Sequence, residues 1–145
     1  MALAGKKYIG GGANSTSDFF SNEEKWIKVS YDFAADAGEL GDYDVIENES
    51  ASLKYVVTDF YAHVHTDVTT GTDVDVDLGI GDGGTEFLSD WDAPGATADA
   101  IVGMDTAAPV QIPASSKIVM GIETGTVTAG RVDLYFKIKQ LDIAA

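Results

Sequence analysis

The feature that most constrains this chain is a repeated alternation of apolar and polar side chains, with a period of two residues. It runs through Leu53–Val57, Asp73–Ile80, Ile118–Ile122 and Arg131–Lys139. Successive side chains of an extended strand point to opposite faces of its sheet, so this pattern predicts strands with one buried face. No segment shows a long helical period. The alternation therefore predicts an all-β protein.

Turn signals separate the alternating runs and indicate how the strands are arranged. About eight strand-sized runs follow one another at short spacing, which is typical of a single antiparallel β-sandwich. The jelly roll is one form of such a sandwich, and the sequence does not decide the strand order. The turns are predicted at Thr69–Thr72, Gly81–Gly84, Thr124–Thr126 and Ala129–Gly130.

Two segments have less regular patterns. Pro109 and Pro113 bracket Val110–Ile112, and because proline cannot donate a ladder hydrogen bond, a short edge strand is predicted there. The segment Ala96–Met104 fits either a short helix or a covered strand.

The first 25 residues differ in composition from the rest of this 145-residue chain. The tract Gly10–Ser17 contains only small and polar residues, which predicts an extended N-terminal arm over residues 1–25 and a β-sandwich domain over residues 26–145. Phe19 and Phe20 follow this polar tract, and two adjacent aromatic rings are costly to leave in water. They are expected to dock either on the same domain or on a neighbouring subunit.

The charge of the chain is large and unevenly placed. The formal net charge is −15, and between Tyr55 and Ser116 there are eleven acidic residues but no lysine or arginine. Such a surface repels phosphate, so neither nucleic acid nor an anionic membrane is an expected partner. The acids are explained either by solubility alone or by an acidic middle that faces solvent while the more basic ends meet a partner.

Several kinds of site and location are excluded by what the sequence lacks. There is no cysteine, so disulfides and thiolate metal sites are absent. No apolar run approaches the ~18 residues of a membrane span, and the first residues lack the apolar core of a signal peptide. Neither a nucleophile-elbow nor a phosphate-loop motif is present. We therefore expect a protein assembled inside the cell that is not an enzyme and binds no cofactor.

Asp73, Asp75 and Asp77 are the candidates for a metal site, because they place three carboxylates two residues apart on one strand face. An EF-hand loop beginning at Asp73 would need glycine at its sixth position and glutamate at its twelfth, where this chain has Leu78 and Gly84. A solvated strand whose acids block edge-to-edge aggregation is the favoured interpretation, and no metal is predicted.

His63 and His65 lie two residues apart and would share one face of a strand. A zinc pair completed by Asp59, Asp67 or a ligand from elsewhere is one interpretation. Structural zinc requires four strong ligands and the chain has only these two histidines, so a structural pair without metal is favoured.

The segment from Tyr31 to Val45 combines strand and turn signals. Tyr31-Asp32-Phe33-Ala34 alternates aromatic and polar residues, Asp36-Ala37-Gly38 has turn chemistry, and a second alternating run continues to Val45. This order predicts a hairpin early in the sandwich.

This segment resembles a pattern in small virion proteins of tailed bacteriophages, in which an aromatic-Asp-Phe-Ala strand and a glycine turn lead into a β-domain. The resemblance extends over most of residues 29–139, although paired glycines are common in such proteins where Ala37-Gly38 stands here, and the arm has no counterpart. The other segments that carry the resemblance are Leu53–Val64, Thr66–Thr72, Asp73–Asp82, Ile118–Ile122, Thr128–Gly130 and Val132–Ile138.

The resemblance implies a head decoration, or cement, protein that binds the outer capsid lattice and stabilises the head. Its partners would be the major capsid protein and copies of itself in a homotrimer, and it would reside on the capsid surface of the virion after assembly in the host cytoplasm. Aromatic anchors and lysines would contact the capsid or a neighbouring subunit. These expected contact residues are Phe19, Phe20, Trp26, Lys6, Lys7, Lys25 and Lys28.

A second interpretation is a host-surface or glycan-binding module of a tail or head fibre. Trp91 and Tyr43 would then be exposed and would form a platform for sugar rings.

Overall fold

The computed structural model describes residues 2–9, 24–36, 40–70, 74–92, 98–103, 109–123 and 125–141. These residues form ten strands and no helix, and none of them belongs to a helix that could cross a membrane. The all-β prediction is confirmed. The strands are β1 (Ala2–Ile9), β2 (Lys25–Asp32), β3 (Gly41–Asn48), β4 (Tyr55–Thr70), β5 (Asp75–Ile80), β6 (Leu88–Asp92), β7 (Ile101–Gly103), β8 (Val110–Ile112), β9 (Lys117–Glu123) and β10 (Val127–Gln140).

The strands form two sheets that pack face to face. Sheet A has the order β1-β3-β9-β5-β6, and sheet B has the order β2-β10-β4-β7, with β8 also paired to β4. Every neighbouring pair is antiparallel except β1 and β3, which run parallel. The predicted β-sandwich is confirmed, whereas the jelly-roll form remains a prediction.

The core lies between the inner faces of the two sheets. Phe60 and Phe136 in sheet B pack with centroids 4.9 Å apart, and each lies 5.4 Å from the ring of Phe87, which precedes β6 in sheet A. All three rings are at most 2 % exposed. Aromatic packing of this kind contributes free energy beyond the burial of apolar area, so this cluster joins the sheets.

The alternating segments form strands with the predicted inward faces. In β10 the inward side chains are fully buried, and in β5 the same is true of Val76 and Leu78. The edge strand at Val110–Ile112 is β8, and residues 101–103 of the irregular segment form strand β7 rather than a helix. The buried side chains of β10 are Val132, Leu134, Phe136 and Ile138.

The predicted hairpin between residues 31 and 45 is wrong. β2 belongs to sheet B and β3 to sheet A, so the connection crosses from one sheet to the other. The Asp32 carboxylate accepts hydrogen bonds from the amides of Ala34 (2.9 Å) and Ala35 (3.1 Å) and so turns the chain after β2. The Phe33 amide still donates to the Gly130 carbonyl (2.9 Å) while its ring enters the core. The turn chemistry was recognised, but it does not determine which sheet receives the next strand.

Most of the described part of the predicted arm is a strand of sheet A, while its last residue, Lys25, begins β2 of sheet B. Residues 2–9 form β1, in which Lys7, Tyr8 and Ile9 lie opposite Ile46, Glu47 and Asn48 of β3. Ile9 is fully buried in the core. The predicted anchors Phe19 and Phe20, like all of residues 10–23, lie outside the described residues.

Gly130 occupies a position in β10 that a larger residue would not fit. Its φ is +120°, a conformation that residues with a Cβ rarely adopt, and a Cβ there would lie 2.7 Å from the Val68 Cα. The Asp67 carbonyl oxygen would lie 2.9 Å away, and because it and the Val68 Cα are backbone atoms, β4 and β10 would have to separate locally.

We expect Gly130→Ala to lower the free energy of unfolding by about 1–3 kcal/mol, because it adds both backbone strain and a steric clash. Gly103→Ala is the control, since a Cβ at Gly103 meets no atom within 4 Å, and it should change stability by less than about 0.5 kcal/mol. Urea unfolding followed by tryptophan fluorescence measures both variants. Equal stability of the two variants would contradict the close approach of β4 and β10.

Candidate binding surfaces

The outer faces of the two sheets differ in charge and in chemistry. β2 and β10 come from the two basic ends of the chain and are neighbours in sheet B, whereas β5 and β6 come from the acidic middle and lie in sheet A. We call the carboxylates on the outside of sheet A the acidic face: Asp42, Asp75, Asp77, Asp90, Asp92 and Glu123. We call the central residues on the outside of sheet B the aromatic face: Trp26, Lys28, Tyr61, Tyr135 and Lys137.

Three carboxylates converge on the acidic face. One ligand oxygen from each of Asp77, Asp90 and Glu123 lies within 4.8 Å of the others. Asp77 is only 5 % exposed, and its Oδ1 accepts a hydrogen bond from the Asp90 amide at 2.7 Å. The prediction of a solvated acidic strand is therefore wrong at Asp77, because the backbone of β6 covers it. Asp73 lies outside the described residues, and Asp75 lies opposite Glu123 in the ladder.

Mutual repulsion governs the protonation of this cluster. The negative charge of Asp77, together with burial, a hydrogen bond to Asp77 and the charges of Asp90 and Asp42, raises the pKa of Glu123. Each of the three acids could offer one oxygen to a cation, whereas Ca²⁺ takes six to eight oxygen ligands. These residues would supply at most about half of such a coordination shell.

The aromatic face is a set of packed rings on adjacent strands. Tyr135 and Tyr61 lie opposite each other in the β10–β4 ladder, and their rings stack with centroids 4.6 Å apart at 15°. Trp26 reaches across β10 to meet Tyr61 edge to face at 5.5 Å and is 47 % exposed. The Lys137 ammonium lies 5.9 Å from the Trp26 ring centroid, within the range of a cation–π contact. The rings therefore hold one another in place.

A charged network lies beside the rings on the same side of sheet B. Asp133 is 2 % exposed, and its Oδ1 accepts hydrogen bonds from the Ser30 hydroxyl at 2.7 Å and from the Arg131 guanidinium at 3.3 Å. Burial opposes ionisation of Asp133, but Ser30, Arg131 and Lys28 together lower its pKa. This buried carboxylate is therefore ionised at neutral pH.

An open groove of about 580 Å³ continues the outer surface of sheet B beyond Trp26 and Lys137. Lys139 lies opposite Val56 on its floor, and the Thr58 hydroxyl donates a hydrogen bond to Glu24 across it. The groove is lined by Glu24, Val56, Thr58, Pro109, Lys139, Gln140 and Leu141. It thus combines apolar side chains with one cation, Lys139, and one anion, Glu24.

The contact residues that the sequence predicted do not all lie on the same sheet. Trp26 and Lys28 lie on the aromatic face, and Lys25 is half-buried at the start of β2. Lys6 and Lys7 lie on β1 in the other sheet. Tyr61, Tyr135 and Lys137 were not predicted from the sequence, although the alternation in β10 places the last two on the outward side.

Lys6 holds β1 to β3 through ion pairs. Its ammonium lies 2.8 Å from Glu47 Oε1 and 3.5 Å from Asp44 Oδ2, and its side chain is 8 % exposed. Burial opposes the charge of Lys6, but the hydrogen bond and charge of Glu47, with Tyr8 and Asp44, raise its pKa overall. Lys6 is therefore committed to an internal contact, whereas Lys7 is exposed.

Four other side chains singled out in the sequence do not form the sites considered for them. His63 Nε2 lies 3.3 Å from Asp99 Oδ1, and within the described ranges no third metal-ligating group joins His63 and His65. Tyr43 was expected to be exposed, but it is 7 % exposed and packs against Tyr31, so this expectation is wrong. Trp91 is half-buried against the core.

The fold matches solved structures, although neither a protein-family model nor a curated protein matches this sequence. A chain of the cyanophage Pam1 capsid asymmetric unit has a TM-score of 0.58 at 14 % identity, covering 86 % of this chain and 90 % of that chain. A chain of the acid-stable capsid structure of Helicobacter pylori bacteriophage KHP30 has a TM-score of 0.58 at 13 % identity, with coverages of 84 % and 94 %. A chain of the capsid of Ralstonia phage GP4 has a TM-score of 0.54 at 12 % identity, with coverages of 85 % and 88 %.

At these identities the likeness shows a shared fold. Because each alignment covers similar shares of both chains, the three matched chains are about as long as this one.

Replacing Lys6 should weaken the attachment of β1. We expect Lys6→Met to lower the free energy of unfolding by about 1–3 kcal/mol, because it removes a charged hydrogen bond and leaves Glu47 unpaired. Lys7→Met changes the adjacent exposed lysine and should have an effect below about 0.5 kcal/mol. Urea unfolding at pH 7 measures both variants, and a larger loss in Lys7→Met would refute the assignment.

The raised pKa of Glu123 predicts a pH-dependent effect of its replacement. Because its pKa is raised, Glu123 binds a proton more tightly in the folded chain than in the unfolded chain. Above the folded-state pKa, Glu123 is charged, and its repulsion with Asp77 lowers the stability of the folded chain. This loss is relieved as the pH falls toward 4.5 and Glu123 becomes protonated. Glu123→Gln should therefore have a higher melting temperature than the wild type at pH 7, and the difference should disappear near pH 4.

Melting curves of the wild type and Glu123→Gln between pH 4 and pH 8 test this expectation. Asp82→Asn, in the exposed turn after β5, removes one acid elsewhere and controls for net charge. The account of the cluster fails if the two variants show the same pH profile.

Proposed function

We propose that this chain is a structural protein of a bacteriophage capsid that binds the outer surface of the shell and stabilises the head. The observation that carries the proposal is the β-sandwich shared with chains of similar length in three phage capsid structures. The resemblance of residues 29–139 to small virion proteins supports the same function. A decoration protein of this kind would act by bridging neighbouring capsid subunits, so that separating them also requires breaking its contacts.

The difference between the two outer faces supports a protein that lies on a surface. A decoration protein needs one face that contacts the shell and one that contacts water. The acidic face carries six carboxylates, which favours hydration and resists association with other acidic surfaces. The aromatic face carries exposed Trp26 packed with Tyr61 and Tyr135, and such aromatic residues are enriched at interface centres.

The proposal includes partners and location. The partners are the major capsid protein and further copies of this chain in a trimer, and the location is the surface of the virion after assembly in the host cytoplasm. Nucleic acid and membrane are not partners in this proposal, since the net charge of −15 opposes binding to polyanions. The role is binding and not catalysis, in keeping with a sequence that has neither a cysteine nor a nucleophile-elbow motif.

A glycan-binding or host-surface module of a fibre is the second candidate function. Trp26 favours it, because an exposed indole ring beside Tyr61 offers an apolar surface to a sugar. The platform would then be the aromatic face and not Tyr43 and Trp91.

The copy number of the chain on isolated heads distinguishes these two functions. Virions that contain the chain are separated into heads and tails, and both fractions are analysed by quantitative mass spectrometry. A decoration protein is expected on tail-less heads at a copy number in a fixed simple ratio to the major capsid protein. Its removal should lower the temperature at which heads release DNA. Recovery of the chain only with tails, at low copy number, would contradict the proposal.

A further inference from the structure

We propose that the aromatic face, extended by the Lys139 groove, is the surface by which this chain attaches to the shell. This inference rests on the proposed function and adds the docking face and the chemistry of its partner. The partner surface would be a protein surface that presents carboxylates beside apolar side chains. The acidic face of sheet A would remain in water.

The lysines of this surface make no ion pair in a chain rich in acids. Within the described residues, Lys28, Lys137 and Lys139 have no carboxylate oxygen within 4 Å, and the same is true of Lys7, Lys25 and Lys54, whereas Lys6 and Lys117 on sheet A are both paired. Lys137 even lies opposite Asp59 in the ladder, yet its ammonium is placed near the Trp26 ring. Lys28 acts on the buried Asp133 carboxylate without a direct ion pair, and Lys137 and Lys139 have no carboxylate partner in the described part of the chain. The ammonium groups of these three lysines on one side of sheet B can therefore still contact carboxylates of a partner, which is the charge complementarity that steers association.

Two of the three large exposed apolar side chains that the structure describes lie on the same side of the sandwich. Three large hydrophobic residues are exposed among the described residues, and Trp26 and Ile101 both lie on the outside of sheet B. The third, Leu40, lies in the connection before β3. Trp26 on β2 and Ile101 on β7 lie at opposite edges of sheet B, so only Trp26 belongs to the aromatic face. An exposed indole ring packed beside two tyrosines is typical of an interaction surface.

The rings are held in position before any partner binds. Tyr61 and Tyr135 are stacked, Trp26 packs on Tyr61, and the strands beneath are paired in fixed register. A partner therefore has few side-chain rotations to immobilise, and less of the contact free energy is lost on ordering. The groove beside Lys139 adds a recess with apolar groups from Val56, Pro109 and Leu141, which suits an apolar side chain of the partner. The Glu24 carboxylate in this groove accepts a hydrogen bond from Thr58.

A second copy of this chain is a poor occupant of the surface, although its acidic face has the complementary charge. The two faces lie on opposite sides of the sandwich, so each copy would accept the next in the same direction. Head-to-tail contacts of that kind generate open stacks and not closed oligomers. Docking on a different protein surface that presents carboxylates does not generate such stacks.

Binding of purified chain to heads depleted of it provides the test. Lys28→Glu and Lys137→Glu reverse charges on the aromatic face, and each is expected to weaken binding about tenfold or more. Lys7→Glu is the matched control on β1, and Leu40→Ser is the control for an exposed apolar residue; both should bind within about twofold of wild type. Melting temperatures confirm that each variant is folded.

Lysine footprinting of the wild-type chain gives a second measurement that does not depend on variants. Acetylation of Lys28, Lys137 and Lys139 should fall several-fold when the chain is bound to heads, while Lys7 should be modified equally in both states. Unchanged modification of all three lysines on bound chain would overturn the inference, as would equal binding of all four variants.

The outcomes separate this inference from the proposed function. If the wild-type chain fails to bind heads, the proposed function is wrong. If it binds but Lys28→Glu and Lys137→Glu bind equally well, the function stands and the docking face is wrong. If heads are not bound but an acidic glycan is, with loss in these two variants, the surface is a glycan site and both proposals are overturned.

Discussion

Strand β10 is the element on which the rest of this structure depends, because it is hydrogen-bonded to neighbours along both edges. β2 pairs with one edge of β10 from Arg131 to Ile138, and β4 pairs with the other edge from Val127 to Gln140. Its inward side chains form the centre of the core, and their burial fixes the alternation, so Tyr135 and Lys137 must stand outside. If the pairing register of β10 shifted by one residue, its inward side chains would face solvent and its outward side chains would face the core. The core and the aromatic face would then be lost together.

Local features of the fold could be predicted from the sequence, whereas contacts between distant strands could not. The alternation in β5, β9 and β10 is a property of adjacent residues and was sufficient to predict these strands. The hairpin prediction failed because the Asp32 turn has the same chemistry whether the chain stays in one sheet or crosses to the other. The alternation along β10 was sufficient to place the Tyr135 side chain on the outward face. Its stacking on Tyr61 depends on the pairing register of β10 and β4, two strands that are far apart in the sequence.

The same strand order also accounts for the distribution of charge. Because β2 pairs with β10, Lys28 from near the N-terminus lies on the same sheet as Lys137 and Lys139 from near the C-terminus. The acidic middle contributes β5 and β6, which place Asp77 and Asp90 beside Glu123 of β9 on sheet A. A composition that is acidic on average therefore folds into a molecule with two different surfaces. Under the proposed function, the repulsion on the acidic face is left to solvent, while the aromatic face meets the shell.

A cryo-EM map of heads that carry this chain tests the central claim most directly, because it shows which sheet faces the shell. The account predicts density for sheet B against the capsid surface, with Trp26, Tyr61 and Tyr135 covered and the carboxylates around Asp77 directed outward. A map in which the acidic face contacts the shell and Trp26 points into solvent would contradict it.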